Sequence, residues 1–244
     1  MKILALYDVH GNAEALDAVL ADERAAGPDA IVAGGDVVPG PFAREALDRL
    51  EALGVPVHWV RGNGEREVAE AASGAAPGPD PEDMALVTAA LTAGALGPAR
   101  AHALGTLPLT VELDGVLFCH ATPRGDEELV TRISPAARWA EVLSTTTAPL
   151  VVAGHTHQQD DRTVGATRFV NAGSVGLPYE GDGAARWAWI EDGAPTLNHT
   201  NYDAAAAGRR ILAAGWPDER STAAALTDPM PASAITELFE SRIA

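Results

Sequence analysis

The chain has 244 residues, with 34 acidic against 17 basic side chains and a formal net charge of −17. An acidic surface of that size repels a nucleic-acid backbone and disfavours generic DNA or RNA binding, while an anionic small substrate stays compatible wherever bound cations reverse the local potential. With 47% hydrophobic and 21% charged residues, the composition is that of a globular protein able to bury a full core, and one domain over 1–244 is expected.

In chain order, Ile3 to Leu6 is a short apolar run ending at a turn and predicts a buried strand. It is far too short for a signal peptide or a membrane span. Ala13 to Ala26 places Ala15, Leu16, Val19 and Leu20 at helical spacing. Ala30 to Ala33 predicts a second buried strand closed by Gly34-Gly35, Glu45 to Leu53 a helix, and Val55 to Val60 a strand leading into Gly62-Asn63. This alternation argues for an α/β (α+β) fold with chemistry at strand ends. Residues 71–81 form an Ala, Gly and Pro break, and 81–104 predicts one or two helices interrupted near Gly97-Pro98. The segment 71–105 is too short to own a core and is expected to be a helical cap.

Strands are then predicted at Leu109 to Leu113 and Val116 to Cys119, joined by the hairpin dipeptide Asp114-Gly115. Cys119 is the single cysteine, so no intrachain disulfide can form, which points to the cytoplasm. On an apolar strand it reads as a small core residue. A helix starts at Ser134 with Pro135 in its first position, and Pro149 to Ala153 is a buried strand. Arg162 to Val164, Thr167 to Asn171, Arg186 to Glu191 and Thr196 to Tyr202 complete a strand-rich half. Ala204 to Ala214 predicts a helix, so a helical tail from about residue 203 is expected to dock on the surface.

The chemistry sits where apolar runs stop. Five segments, Asp8-Val9-His10-Gly11-Asn12, Gly34-Gly35-Asp36, Gly62-Asn63-Gly64-Glu65, Cys119-His120-Ala121 and Gly154-His155-Thr156-His157, put oxygen or imidazole ligands beside small residues. Together they supply Asp8, His10, Asp36, Asn63, His120, His155 and His157, enough for two metal ions sharing one carboxylate. A mixed nitrogen and oxygen set suits Mn, Fe, Zn, Ni or Co better than Mg or Ca. Two such cations about 3.5–4 Å apart acidify a bridging water and grip phosphoryl oxygens. Four of the seven histidines lie in these segments; His58, His102 and His199 do not and read as surface or packing residues. Trp187 and Trp189 alternate on one strand and read as core.

In order and spacing these segments resemble the calcineurin-like metallophosphoesterase superfamily, and within it the small bacterial and archaeal phosphodiesterase branch, over residues 1 to about 190. The resemblance implies two mixed β-sheets packed as a sandwich with helices outside. It implies one metal held by Asp8, His10, Asp36 and His157, a second by Asp36, Asn63, His120 and His155, with Asp36 bridging. It further implies hydrolysis of a phosphodiester by a metal-bridging hydroxide, with catalysis carried by Asp36, Asn63 and His120 through the metals. Alternatives are a phosphomonoesterase, a dinucleoside polyphosphate hydrolase or, from another class, a protein-binding scaffold of the retromer-subunit type. The position after Gly-Asn, often a histidine that protonates the leaving group, is Gly64 here. Glu65 then reads as a helix-start or supporting acceptor. The segment Asn171 to Pro178 is expected to close the floor of the site. Asn12, Arg61 and Arg186 are candidate substrate contacts, each with a competing structural reading as a loop or ion-paired residue.

Overall fold

The computed structural model describes residues 1–75, 83–217 and 219–243. Two five-stranded sheets form the centre. In the first, β1 (Lys2–Leu6) pairs in parallel with β2 (Ala30–Ala33), and β2 with β3 (Val57–Trp59). Its other side adds β9 (Ala185–Glu191) and β10 (Ala194–Thr200) antiparallel, for the order β10-β9-β1-β2-β3. The second sheet has the order β4-β5-β6-β8-β7, built from β4 (Thr110–Leu113), β5 (Val116–Cys119), β6 (Leu150–Ala153), β7 (Asp160–Val164) and β8 (Thr167–Asn171). Here β5, β6 and β8 run parallel, and the hairpin partners β4 and β7 close the edges antiparallel.

The two-residue period of a strand builds the layers. Ile3, Ala5 and Tyr7 point between the sheets and meet Val116, Phe118, Leu150, Val152 and Val170. Leu4 and Leu6 point the other way, against Leu16, Val19, Leu47 and Leu50 of α1 (Ala13–Leu20) and α2 (Ala43–Glu51). On the far side Cys119, Val151 and Phe169 are covered by Trp139 and Val142 of α6 (Ala136–Val142). Strands buried on both faces explain why the sequence reads as continuous apolar runs. Phe118 is fully buried between the sheets, so Phe118→Ala should cost about 3–5 kcal/mol. Tyr7 satisfies its hydroxyl by donating to the Val152 carbonyl at 2.8 Å, from one sheet to the other.

Several predicted boundaries shift. The helix from Ala13 ends at Leu20 and continues only as a 3-10 turn at Glu23–Ala25, because Asp22 caps a new turn instead of extending the old one. Pro135 is the N-cap of α6, one residue before the position expected for it. The helix α3 (Asn63–Ser73) runs on into the expected 71–81 break and stops at Gly74, whose φ of 71° is the left-handed geometry of a helix C-terminus. The rest of that break, 76–82, lies outside the described residues. Helices α4 (Met84–Leu96) and α5 (Pro98–Gly105) pack on α3, separated at Gly97 as the Gly-Pro pair predicted.

The tail contributes α7 (Ala204–Ala213), α8 (Glu219–Thr227) and α9 (Ala232–Glu240). Arg210 of α7 pairs with Glu14 and Glu45 on α1 and α2. Helix α9 reaches the second sheet, where Gln158 donates to the Ala232 carbonyl at 2.8 Å and accepts from Thr236 at 2.7 Å. Ser134 donates to Glu240 at 2.6 Å. Among the described residues, no helix is long and apolar enough to cross a membrane.

Candidate metal centre

All seven sequence-named ligands follow the carboxyl ends of parallel strands: Asp8 and His10 after β1, Asp36 after β2, Asn63 after β3, His120 after β5, and His155 and His157 after β6. Five of them sit in left-handed backbone geometry, at φ of 53° for Asp8, 46° for His10, 52° for Asp36, 68° for His155 and 56° for His157. Non-glycine residues rarely adopt it, at a cost of about 1–3 kcal/mol each, and it persists only where the surroundings over-determine it. They do so here. His10 N–H donates to the Asp36 carbonyl at 2.9 Å and Asp8 N–H to that of Gly35 at 3.0 Å. The Ser174 hydroxyl donates to the Asp8 carbonyl at 2.7 Å. Glu65, 1% exposed, accepts from the backbone of Asp36, Val37, Val38 and Gly62 and so ties the second and third loops together.

The side chains converge. Asp8 Oδ1 lies 3.3 Å from His157 Nε2 and 3.8 Å from His120 Nε2. Asp36 Oδ1 lies 3.5 Å from His120 Nε2, while its Oδ2 lies 3.8 Å from His10 Nε2. His10 and His157 face each other with their Nε2 atoms 3.1 Å apart. Two compact groups result, Asp8–His10–His157 and Asp8–Asp36–His120, each with its ligand atoms within 4.8 Å of one another. Asp8 is common to both groups, and the two oxygens of Asp36 also diverge toward different histidines. Asn63 and His155 stand just outside, with the His155 ring centroid 5.1 Å from that of His120.

Three buried atoms in this cluster, Asp8 Oδ1, Asn63 Oδ1 and His120 Nε2, have no hydrogen-bond partner among the described residues. Orphaned buried acceptors are costly, and a cation in their midst satisfies them. Backbone carbonyls orient three of the histidines. His120 Nδ1 meets the Gly34 carbonyl at 3.1 Å, His157 Nδ1 the Leu177 carbonyl at 2.7 Å, and His155 Nε2 the Glu127 carbonyl at 3.1 Å. With the proton on the nitrogen that meets the carbonyl, the other ring nitrogen is the one turned inward, the arrangement a metal ligand needs. The donor set therefore fits divalent transition metals.

The electrostatics are those of a cation site. Burial opposes charge on Asp36 and Asp8, yet the neighbouring imidazoles overcome it and hold both carboxyls below their ordinary range. Burial likewise opposes protonation of His120, but Asp36, Asp8 and Glu65 push it up to about 10. His155 falls to about 4, through burial and then the charge of His120. Burial and the nearby Asp36 push Glu65 up to about 7, against its backbone donors.

The three proposed substrate contacts are engaged elsewhere. Asn12 accepts from Ala15 N–H as the N-cap of α1, and donates to the Gly176 carbonyl at 2.9 Å and the Tyr202 hydroxyl at 3.0 Å. Arg61 pairs with Asp126 at 3.3 Å and Arg186 with Asp182 at 2.8 Å. Asn171 and Ser174 shape the floor by bonding to Gly154 and Asp8. At Gly64 there is no room for a side chain: a Cβ would lie 2.1 Å from the Val38 carbonyl oxygen. Its N–H donates to Asp36 Oδ1 at 2.7 Å. At Gly154 a Cβ would strike Asp8 Oδ2 at 2.4 Å.

A cavity of about 230 Å³ opens beside the centre, lined by His10, Asp36, Asn63 and Glu67, by Met84 and Thr88 of α4, and by Trp216 and Thr222 of the tail. Sequence reasoning missed Glu67, Trp216 and Tyr179. Glu67 accepts from Asn63 Nδ2 at 3.3 Å, and burial pushes its carboxyl up to about 7. Its i,i+4 spacing from Asn63 was a usable signal. Tyr179 stacks on His157 with ring centroids 4.6 Å apart.

Two mixed sheets in a sandwich, with oxygen and imidazole ligands gathered at the strand ends, define a metallophosphoesterase-type fold. The family model of the calcineurin-like phosphoesterase superfamily domain matches residues 1–189, and the chain belongs to that superfamily. It is similar to the crystal structure of a metallophosphoesterase from Sphaerobacter thermophilus, with 26% identity and a TM-score of 0.73 over 93% of this chain and 99% of that one. It shares its fold with a hypothetical protein from Pyrococcus horikoshii OT3, at 20% identity and a TM-score of 0.73, covering 89% of this chain and 95% of that one. No curated protein matches the chain.

Proposed function

We propose that the chain is a phosphodiesterase using two divalent transition metals, with residues 1–244 acting as one unit in which the cap at 71–105 and the tail from about 203 flank the site. The observation that carries this reading is the set of orphaned inward atoms on Asp8, Asn63 and His120. When bound, the metals supply an activated water and neutralise charge on the phosphoryl oxygens. Asp8, His10 and His157 would hold one ion, and Asn63, His120 and His155 the other, with Asp36 reaching toward both. The chain's own contribution is to fix these groups, through Glu65 and the carbonyls of Gly34, Leu177 and Glu127, and to exclude water with apolar residues from α4 and the tail.

A small diester is favoured because the cavity is modest and, among the described residues, its lining holds no lysine or arginine to follow a polyanion. The lack of an imidazole at Gly64 favours esters with good leaving groups. The test is a screen of purified protein, loaded in turn with Mn, Fe, Zn, Ni or Co, against aryl and alkyl diesters, monoesters and a dinucleoside polyphosphate. Two metals per chain and fastest turnover of an aryl diester are expected. Monoester or polyphosphate turnover exceeding that of diesters replaces the substrate class, and metal uptake with no turnover moves the chain to the scaffold reading.

A further inference from the structure

On the His155 side of the centre lies a second cavity, of about 420 Å³, lined by Glu127, Glu128, Arg138, His155, Phe239 and Arg242 among others. Its two carboxylates are both engaged by arginines. Glu127 is bound to Arg66 at 2.6 Å. Glu128 is held by Arg124 and by Arg138, the latter at 2.9 Å, and Arg138 also meets Glu141 at 3.3 Å. Every carboxylate on the lining therefore already has a cation. Arg242 is left over: among the described residues its guanidinium makes no hydrogen bond or ion pair, only a contact 5.8 Å above the Phe239 ring. That ring lies 5.9 Å from Tyr179, which stacks on the ligand His157. A row of three rings thus runs from the metal ligands to one uncommitted guanidinium, on a protein with a formal charge of −17.

We propose that Arg242 is a substrate-binding residue that grips an anionic oxygen of the phosphoester entering on the His155 side. The inference rests on the phosphoesterase reading for the identity of the anion. Arg242 is exposed at the cavity rim, and its planar guanidinium presents paired N–H donors that match the oxygens of a phosphoryl group. The residue lies beyond the 1–189 segment that carries the family match. The site is therefore completed by the C-terminal tail, with α9 fastened through Gln158 and Glu240 so that Arg242 faces the cavity.

The test compares wild type with Arg242→Gln, Arg242→Lys and the control Arg209→Gln, which removes the same charge from an exposed site on α7. Metal content is measured by elemental analysis and inorganic phosphate binding by calorimetry, with and without Mn²⁺, beside diester kinetics. Arg242→Gln should weaken phosphate binding and raise KM about tenfold or more, with metal content unchanged and kcat moving less. Arg242→Lys should recover part of the loss, because it restores charge without the fork. Phosphate affinity and KM in Arg242→Gln equal to those of Arg209→Gln would overturn the proposal, as would a wild type that binds no phosphate. If wild type binds metal and phosphate but hydrolyses no phosphoester, the functional reading fails instead, and the phosphate difference still decides Arg242.

Discussion

At the scale of single residues, the centre is governed by positions where side chains are too large or oxygens lack partners. Gly64 is the sharpest case. Replacing it with histidine, the obvious way to restore a proton donor, should fail, because the Cβ meets the Val38 carbonyl at 2.1 Å and Pro39 Cδ at 2.7 Å. The variant should lose about 1–3 kcal/mol of stability by overpacking and gain no activity on alkyl esters. Thermal unfolding alongside alkyl- and aryl-ester rates checks this; a stable variant with new alkyl-ester turnover would refute it. Glu67 offers a second test. Its carboxylate orients Asn63 by accepting from the amide nitrogen, so Glu67→Ala should weaken metal affinity about 10–100-fold, whereas Glu67→Gln, which keeps an acceptor oxygen, should retain most of it. Equal losses in the two variants, read by metal titration, would rule out that role. The convergence of the seven named side chains was legible from the sequence, because residue type and local spacing at the strand ends carry it. Their left-handed backbone was hidden, since nothing in the letters at Asp8 or His10 distinguishes a strained aspartate or histidine from an ordinary one. The engagement of Asn12, Arg61 and Arg186 was hidden too, because their partners Tyr202, Asp126 and Asp182 are distant in sequence or set by loop geometry.

Among the elements, strands were read more faithfully than helix ends. Period-two burial on both faces leaves a plain apolar run, as at Leu150–Ala153, while helix ends depend on caps such as Asp22 and Pro135 that compete over one or two residues. The seating of α9 was not legible, because it depends on Gln158 and Glu240 meeting partners far along the chain. The loop between β5 and α6 is a further element set by such contacts. Glu128 accepts from Thr122 at 2.7 Å and Arg124 at 2.8 Å, and meets Arg138 of α6 at 2.9 Å. Hydrogen bonds from Arg124 lead, and they lower its carboxyl to about 2 from an ordinary 4.5 despite partial burial. A folded-state pKa below the unfolded one means stability that is present above about pH 4.5 and is lost as pH falls toward 2. Glu128→Gln should therefore cost about 2 kcal/mol at neutral pH after screening, with the difference from wild type shrinking as pH falls through that window. Denaturant unfolding at a series of pH values measures it, and a difference that stays constant down to pH 2 would show that the ion pairs contribute nothing.

For the molecule as a whole, the centre lies where the two sheets meet. Asp8, Asp36 and Asn63 come from strands of the first sheet, and His120, His155 and His157 from strands of the second. Besides the apolar layer between them, the sheets are joined near the site by polar links such as Tyr7 to the Val152 carbonyl, His155 N–H to Asp8 Oδ2 at 2.9 Å and His120 Nδ1 to the Gly34 carbonyl at 3.1 Å. A cation held by ligands from both sides binds the folded chain and has no equivalent site in the unfolded one, so its binding free energy adds to stability. At a free metal concentration about 100-fold above Kd, the gain is about 2.7 kcal/mol. For a chain of this size each kcal/mol raises Tm by about 2–4 °C, so adding Mn²⁺ to stripped protein should raise Tm by about 5–10 °C. Removing metal also uncovers the repulsion between Asp8 and Asp36, which deepens the contrast. Asp36→Asn, which disturbs the carboxylate reaching toward both histidine groups, should lose most of the metal-induced shift and lower the metal content. Hydrogen exchange should show the added protection at the carboxyl ends of β1 and β2 and, equally, of β5 and β6. Protection confined to one sheet would mean that the ligands do not act as a clamp, and a Tm insensitive to metal would remove the cation from the account of this site altogether.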